Sequence, residues 1–256
     1  MSTTISPQSA ATNAQAKPIR ARLDRRYDRW FFTGMAVLIL ISVFVGFSRT
    51  FFLAPAFRNA LPDHLIVLHG TVFSCWILLL VIQSSLISAR RVDLHKKLGV
   101  AGFLLACLMV ILGLLAATEA LSLGHSVPGL DPLTFYAVPV GDMLCFSALI
   151  LSAFLTRKNP AAHKRLILIA TIGLLDAAFV RWPVAALEGN IKHALFCVFA
   201  LLGMVIAYDL WSTQKIQRAT IFGSLLVVAV LLGRVPIGMT APWHAFAGWA
   251  QHMWKL

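Results

Sequence analysis

Of the 256 residues, 59% are hydrophobic and only 12% charged, and the mean hydropathy is +0.81, whereas soluble domains carry about twice that charged fraction. A water-soluble enzyme, a coiled coil and a disulfide-stapled secreted module are thereby excluded, and one lipid-embedded domain accounts for the length. The formal net charge of +12, from 22 Lys and Arg against 10 Asp and Glu, is placed so that it points to a cytoplasmic membrane face and not to nucleic acid.

Residues 1–29 are rich in Ser, Thr, Ala and Gln and end in a basic run through Arg25, Arg26 and Arg29. Such a composition cannot pack a core, so it reads as a disordered cytosolic tail. The tail is too long for a signal-peptide n-region, and the apolar block after it is longer than an h-region, so that block reads as an uncleaved helix. Apolar blocks follow at 30–48, 62–88, 95–122, 132–156, 163–187, 191–211 and 219–237, each near the roughly 20 residues that cross a bilayer. Runs of this length without two-residue alternation are helices, since only helices and closed barrels satisfy the backbone in lipid. The expected fold is all-α, a bundle of seven transmembrane helices over 30–237.

Orientation follows from the basic residues between blocks. Arg90, Arg91, Lys96 and Lys97, then Arg157, Lys158, Lys164 and Arg165, then Lys215 and Arg218 all fall on the side of the tail, while Arg49, Arg58, Lys192 and Lys255 fall on the other. The positive-inside rule places the N-terminus in and the C-terminus out. Residues 238–256, with Pro242, Trp243, Phe246, Trp249 and Trp254, read as an aromatic segment on the outer interface. Cys75, Cys107, Cys145 and Cys197 lie inside apolar blocks without ligand spacing and read as packing residues. The shared His-basic-basic-Leu of His95–Leu98 and His163–Leu166 is a weak internal repeat.

Ionisable residues within spans cost about 2.5–3.5 kcal/mol each at the bilayer centre and usually face protein or water. The candidates are His69, Glu119, Asp142, Asp176, Arg181 and Arg234, with Trp76 and Gln83 beside them. At about 1.5 Å per residue, His69, Asp142 and Asp176 share a layer about 15–20 Å above the inner boundary, Arg181 and Arg234 lie at about 24–27 Å, and Glu119 is at the outer edge. His69, Trp76 and Gln83 are spaced by seven and form one seam. Asp176 is turned about 120° from the face that carries Ala170, Ala177 and Arg181. A polar site in the outer leaflet, binding or translocating a small ligand or protons, is the leading expectation. The bland alternative is a set of buried ion pairs that fix helix register in a non-catalytic assembly or scaffold subunit. No His-x-x-His or Glu-x-x-His pair points to a dedicated metal site.

A second constellation is His95 with His163, at equal depth on the basic side. Two imidazoles on neighbouring helices are the ligand set of a b-type haem electron carrier, with His69 a third candidate ligand and the adjacent Arg and Lys available to propionates. Interfacial histidines facing water are the plain alternative. Phosphate-loop, dinucleotide and Ser/His/Asp patterns are absent.

The combination of Leu68-His69-Gly70, Trp76, Gln83, Leu94-His95-Lys96-Lys97-Leu98-Gly99, His163-Lys164-Arg165-Leu166, Arg181-Trp182-Pro183 and Tyr208-Asp209-Leu210 resembles an uncharacterised group of bacterial multi-pass inner-membrane proteins over roughly residues 50–254. The resemblance implies an inner-membrane location and brings no activity with it. Where that group carries a His several residues after the Asp-Leu, this chain has Gln217. A looser likeness, to four-helix transmembrane cytochromes b, is at the level of fold alone.

Overall fold

The computed structural model describes the backbone of residues 7–59 and 63–255 and the side chains of 26–59 and 63–255. The first six residues of the expected tail, and its side chains up to residue 25, lie outside the described residues. Every regular element among the described residues is helical. The helices are α1 Pro7–Phe47, α2 His64–Ser88, α3 Val92–Ser122, α4 Pro132–Leu155, α5 Pro160–Ile172, α6 Asp176–Phe179, α7 Ile191–Thr213, α8 Arg218–Gly238 and α9 Ala241–Trp254. The first begins at Pro7, well ahead of the boundary at residue 30, and runs on through a π-helical turn at Ser48–Phe52.

Six helical stretches are long and apolar enough to cross a bilayer: Arg26–Phe52, α2, α3, α4, α7 and α8. Their outward faces carry large apolar side chains. Leu104, Leu144, Phe196 and Leu225 are all more than 60% exposed, a surface suited to acyl chains and not to water. The chain is an integral, multi-pass membrane protein on this evidence of length and surface.

The block at 163–187 departs from the expected continuous span. Helix α5 ends at Ile172, the amides of Leu174 and Leu175 drop back to the carbonyls of Thr171 (3.2 Å) and Ile172 (3.0 Å), and only the one-turn α6 follows. Gly173 weakens the helix there, the Asp176 carboxylate accepts from its own next amide at 2.8 Å, and Pro183 disfavours helix at Trp182. Hydropathy gives no sign of this break, because apart from Asp176 the residues around it are mostly apolar.

α5 lies at the centre, packed against α4 and α8, with α1 and α7 beside it; α2 fills the gap between α1 and α3. Ile169, Ile172 and Leu175 are fully buried. At the end carrying the basic loops, Arg29 and Thr33 of α1 bond to Ser88 of α2, and Asp28 receives Lys164 of α5 and, at 2.8 Å, the Tyr208 hydroxyl of α7. At the opposite end α9 docks on α3 and α4: Trp243 Nε1 donates to the Leu133 carbonyl at 2.9 Å and Gln251 to the Leu121 carbonyl at 3.0 Å, with Ala247 and Ala250 buried. Thus the segment expected to lie flat as an aromatic anchor also packs on the bundle, while Phe246 and Trp249 stay exposed. Asp131 caps α4 by accepting from the Thr134 amide at 3.0 Å, and the Thr134 hydroxyl and amide hold its carboxyl below the usual carboxylate range.

α1 and α6 approach so closely that a Cβ on Gly46 would lie 2.3 Å from the Ala178 carbonyl oxygen. Backbone cannot yield as a flexible side chain does. Gly46→Ala is expected to destabilise the fold by about 1–3 kcal/mol, read as a lower midpoint of thermal unfolding in detergent than the wild type shows.

Candidate functional site

A cavity of about 430 Å³ opens inside the bundle at the end opposite the basic loops. Its polar wall is Thr50 after α1, His69, Ser74 and Trp76 of α2, Asp142 of α4, Thr171 of α5 and Arg181 beyond α6; the remainder is apolar and aromatic. Two glycines leave the space. A Cβ on Gly70 would meet the Phe51 ring at 2.6 Å, and one on Gly113 would meet the Met143 sulfur at 2.4 Å.

His69 is half-buried with its ring 4.1 Å from that of Phe73, and its Nδ1 is buried without a protein partner. Trp76 is buried, donates from Nε1 to the Thr171 hydroxyl at 3.2 Å and meets the Phe146 ring edge-on at 5.4 Å. Arg181 lies over the Phe47 ring at 5.1 Å and donates to the Ala177 carbonyl.

Behind the cavity wall stands an ionic clamp. Arg234 of α8 forms ion pairs with both Asp142 of α4 and Asp176 of α6. Gly141 admits it, since a Cβ there would already be 3.3 Å from the Arg234 Cβ. The side chains of Arg234 and Asp176 are 3% and 4% exposed and that of Asp142 is 12%, so Asp142 is the member that lines the cavity. Two carboxylates share one guanidinium, while Arg181 on the cavity wall has no carboxylate within ion-pair distance among the described residues. The 120° offset expected for Asp176 presumed an unbroken helix; the turn at residues 173–175 removes that phase relation and lets Asp176 meet Arg234.

Two residues expected in this site are elsewhere. Glu119 does not line the cavity, and one of its carboxylate oxygens is buried without a partner on α3. Gln83 lies two turns below Trp76, toward the basic end, and donates to the His95 carbonyl at 3.3 Å. There it shares two smaller cavities, of about 130 and 100 Å³, with His95 and His163. The two imidazoles are brought together, with ring centroids 6.4 Å apart and planes at 86°. His163 Nδ1 is 2.8 Å from the Ala153 carbonyl, so Nδ1 carries its proton and Nε2 its lone pair.

A second buried network escaped the sequence reading. Arg165, counted there as a loop cation, is 2% exposed and meets Asp209 of α7 through Nε at 2.8 Å and Nη2 at 2.5 Å. The other Asp209 oxygen accepts from the Thr220 hydroxyl at 2.6 Å and from the Gln217 amide at 3.0 Å. The signal was present, an Asp inside the apolar block at 191–211. Comparison with protein families, curated proteins and solved structures finds no match to this chain.

Because every Asp209 oxygen is committed, removing its partner strands a buried charge. Arg165→Met is expected to cost about 3–5 kcal/mol, seen as lost folded yield and a lowered unfolding midpoint, with the Arg165→Met/Asp209→Leu pair recovering a large part of it.

Proposed function

We propose that this chain is a bacterial inner-membrane protein that binds a small, largely apolar ligand with a hydrogen-bonding head in its outer-leaflet cavity. The single observation that carries the reading is the cavity itself: about 430 Å³ falls within the roughly 300–1,000 Å³ of small-molecule sites, and apolar walls with a few convergent polar groups are their usual lining. Arg181 and His69 offer hydrogen-bond donors on an otherwise largely apolar wall, so a head that accepts hydrogen bonds from them is the best match.

The topology belongs to the same proposal. The 21 residues from Pro160 to Val180 would rise about 30 Å as helix, so α5 and α6 together form a seventh, broken crossing. With the basic loops in the cytosol, the N-terminus is in, the C-terminus is out and the cavity lies in the outer half. The haem alternative finds less support. A porphyrin would have to enter between His95 and His163, where the cavities of about 130 and 100 Å³ are well below the size of cofactor sites.

A neutral aromatic ketone, 1-acetonaphthone, has the body and head that this lining fits. It is expected to raise the thermal unfolding midpoint of the purified protein in a saturable manner, and Ser74→Trp, which fills the cavity from α2, is expected to abolish the effect. Equal shifts in both proteins would mean partition into detergent and would overturn the reading.

A further inference from the structure

The three cavities are not independent, because one side chain borders two of them. Trp76 forms the floor of the outer cavity and the roof of the chamber of about 100 Å³ beneath it. That chamber shares Gln83, His95 and His163 with the cavity of about 130 Å³, which reaches Asp28, Arg29 and Lys164 at the basic end. The spaces therefore line up from one end of the bundle to the other, interrupted at Trp76.

We infer that they are the two halves of a proton path across the membrane, closed by Trp76 and by its hydrogen bond to Thr171. Buried polar atoms normally find a protein or water partner. Three of the atoms that lack a protein partner lie along this line: His69 Nδ1 above Trp76, and Gln83 Oε1 and His95 Nδ1 below it. The spaces beside them can hold water, since the cavity volumes exceed the roughly 30 Å³ that one molecule occupies.

Size decides what passes. The lower chambers hold a few waters but no molecule that would fill the outer cavity, so a ligand there stays on its own side while a proton can cross. The titratable groups are spaced to carry it. Asp28 and Lys164 pair at the mouth beside Arg29, with His163 and His95 above them; His69 and Asp142 continue past Trp76, with Arg181 facing them and Asp176 and Arg234 behind. At His69 and His95, whose Nδ1 has no protein partner, a proton taken on one ring nitrogen releases the proton held on the other, while His163 takes up and returns a proton at Nε2 alone, so charge moves and no bond other than N–H is remade. His163, fixed with its proton toward Ala153, presents Nε2 as a base in the lower chamber. His69 and Gln83 sit seven residues on either side of Trp76, about 10 Å each way, a gap that only a water chain can bridge.

Full-length protein reconstituted in liposomes loaded with pyranine, with the voltage clamped by potassium and valinomycin, reads the flux after a one-unit pH step. Wild type is expected to stay near protein-free liposomes, and Trp76→Ala to raise the proton flux at least tenfold without releasing trapped carboxyfluorescein. Adding His95→Leu to that variant is expected to return the flux to within twofold of wild type. Thr171→Val, which keeps the side chain's shape, frees the Trp76 N–H and removes only the hydroxyl's own bond to the Ile167 carbonyl within its helix, is expected to raise the flux at least threefold and serves if Trp76→Ala does not fold. Folded Trp76→Ala with wild-type flux, unchanged flux in Thr171→Val, carboxyfluorescein release, or a leak indifferent to His95 would each overturn the path. Binding of 1-acetonaphthone to the His95→Leu protein is read separately, so ligand binding and proton path can fail one without the other.

Discussion

A guanidinium inside a hydrocarbon slab has to be met by carboxylates, and the site is organised around one such requirement. Arg234 on α8 is held by Asp142 on α4 and Asp176 on α6, which ties three separate elements to one register. Each of these groups would cost about 2.5–3.5 kcal/mol at mid-membrane if unpaired, and pairing returns much of that only when all three are in place. To bring Asp176 to Arg234 the chain leaves helical phase after Ile172 and turns through Gly173. The broken helix and the clamp are thus one feature, and the same turn carries Arg181 to the cavity wall.

Between helices in lipid there is no hydrophobic driving force of the kind that packs a soluble core, so close approach and hydrogen bonding do the holding. Close approach is visible where Gly46 meets the backbone of α6 and where Gly238 meets the Thr134 carbonyl, each leaving no room for a Cβ. Hydrogen bonding is concentrated at the two ends, in the Arg165–Asp209–Thr220 network on the basic side and in the docking of α9 on the other. Between the two ends, beside the Arg234 clamp and a tightly packed core, the outer cavity and the two lower chambers lie on either side of Trp76.

Much of the fold was legible because the physics of insertion is one-dimensional. A block such as 191–211 is a helix for reasons of length and hydropathy alone, and α7 Ile191–Thr213 matches it. The same logic singled out His69, Asp142 and Arg181, which the structure gathers around one cavity. What failed needed a second dimension. Gln83 shares a seam with His69 and Trp76, but a seam runs through the whole thickness and does not assign a residue to one end. Glu119 has a suitable depth, yet it does not line the cavity. Asp209 was as conspicuous as Asp142 inside its block, while Arg165 was hidden by its place in a basic run whose other members serve orientation. The break at Gly173 had no sequence signal strong enough to override apolar composition.

Arg234, Asp142 and Asp176 are expected to act as one energetic unit inside the membrane-spanning bundle. A double-mutant cycle on Arg234→Met and Asp142→Asn, read as apparent unfolding free energy, tests it directly. The two changes together are expected to cost at least about 1 kcal/mol less than the sum of each alone. Additive losses would contradict it, because they would mean that the two side chains do not meet in the folded protein.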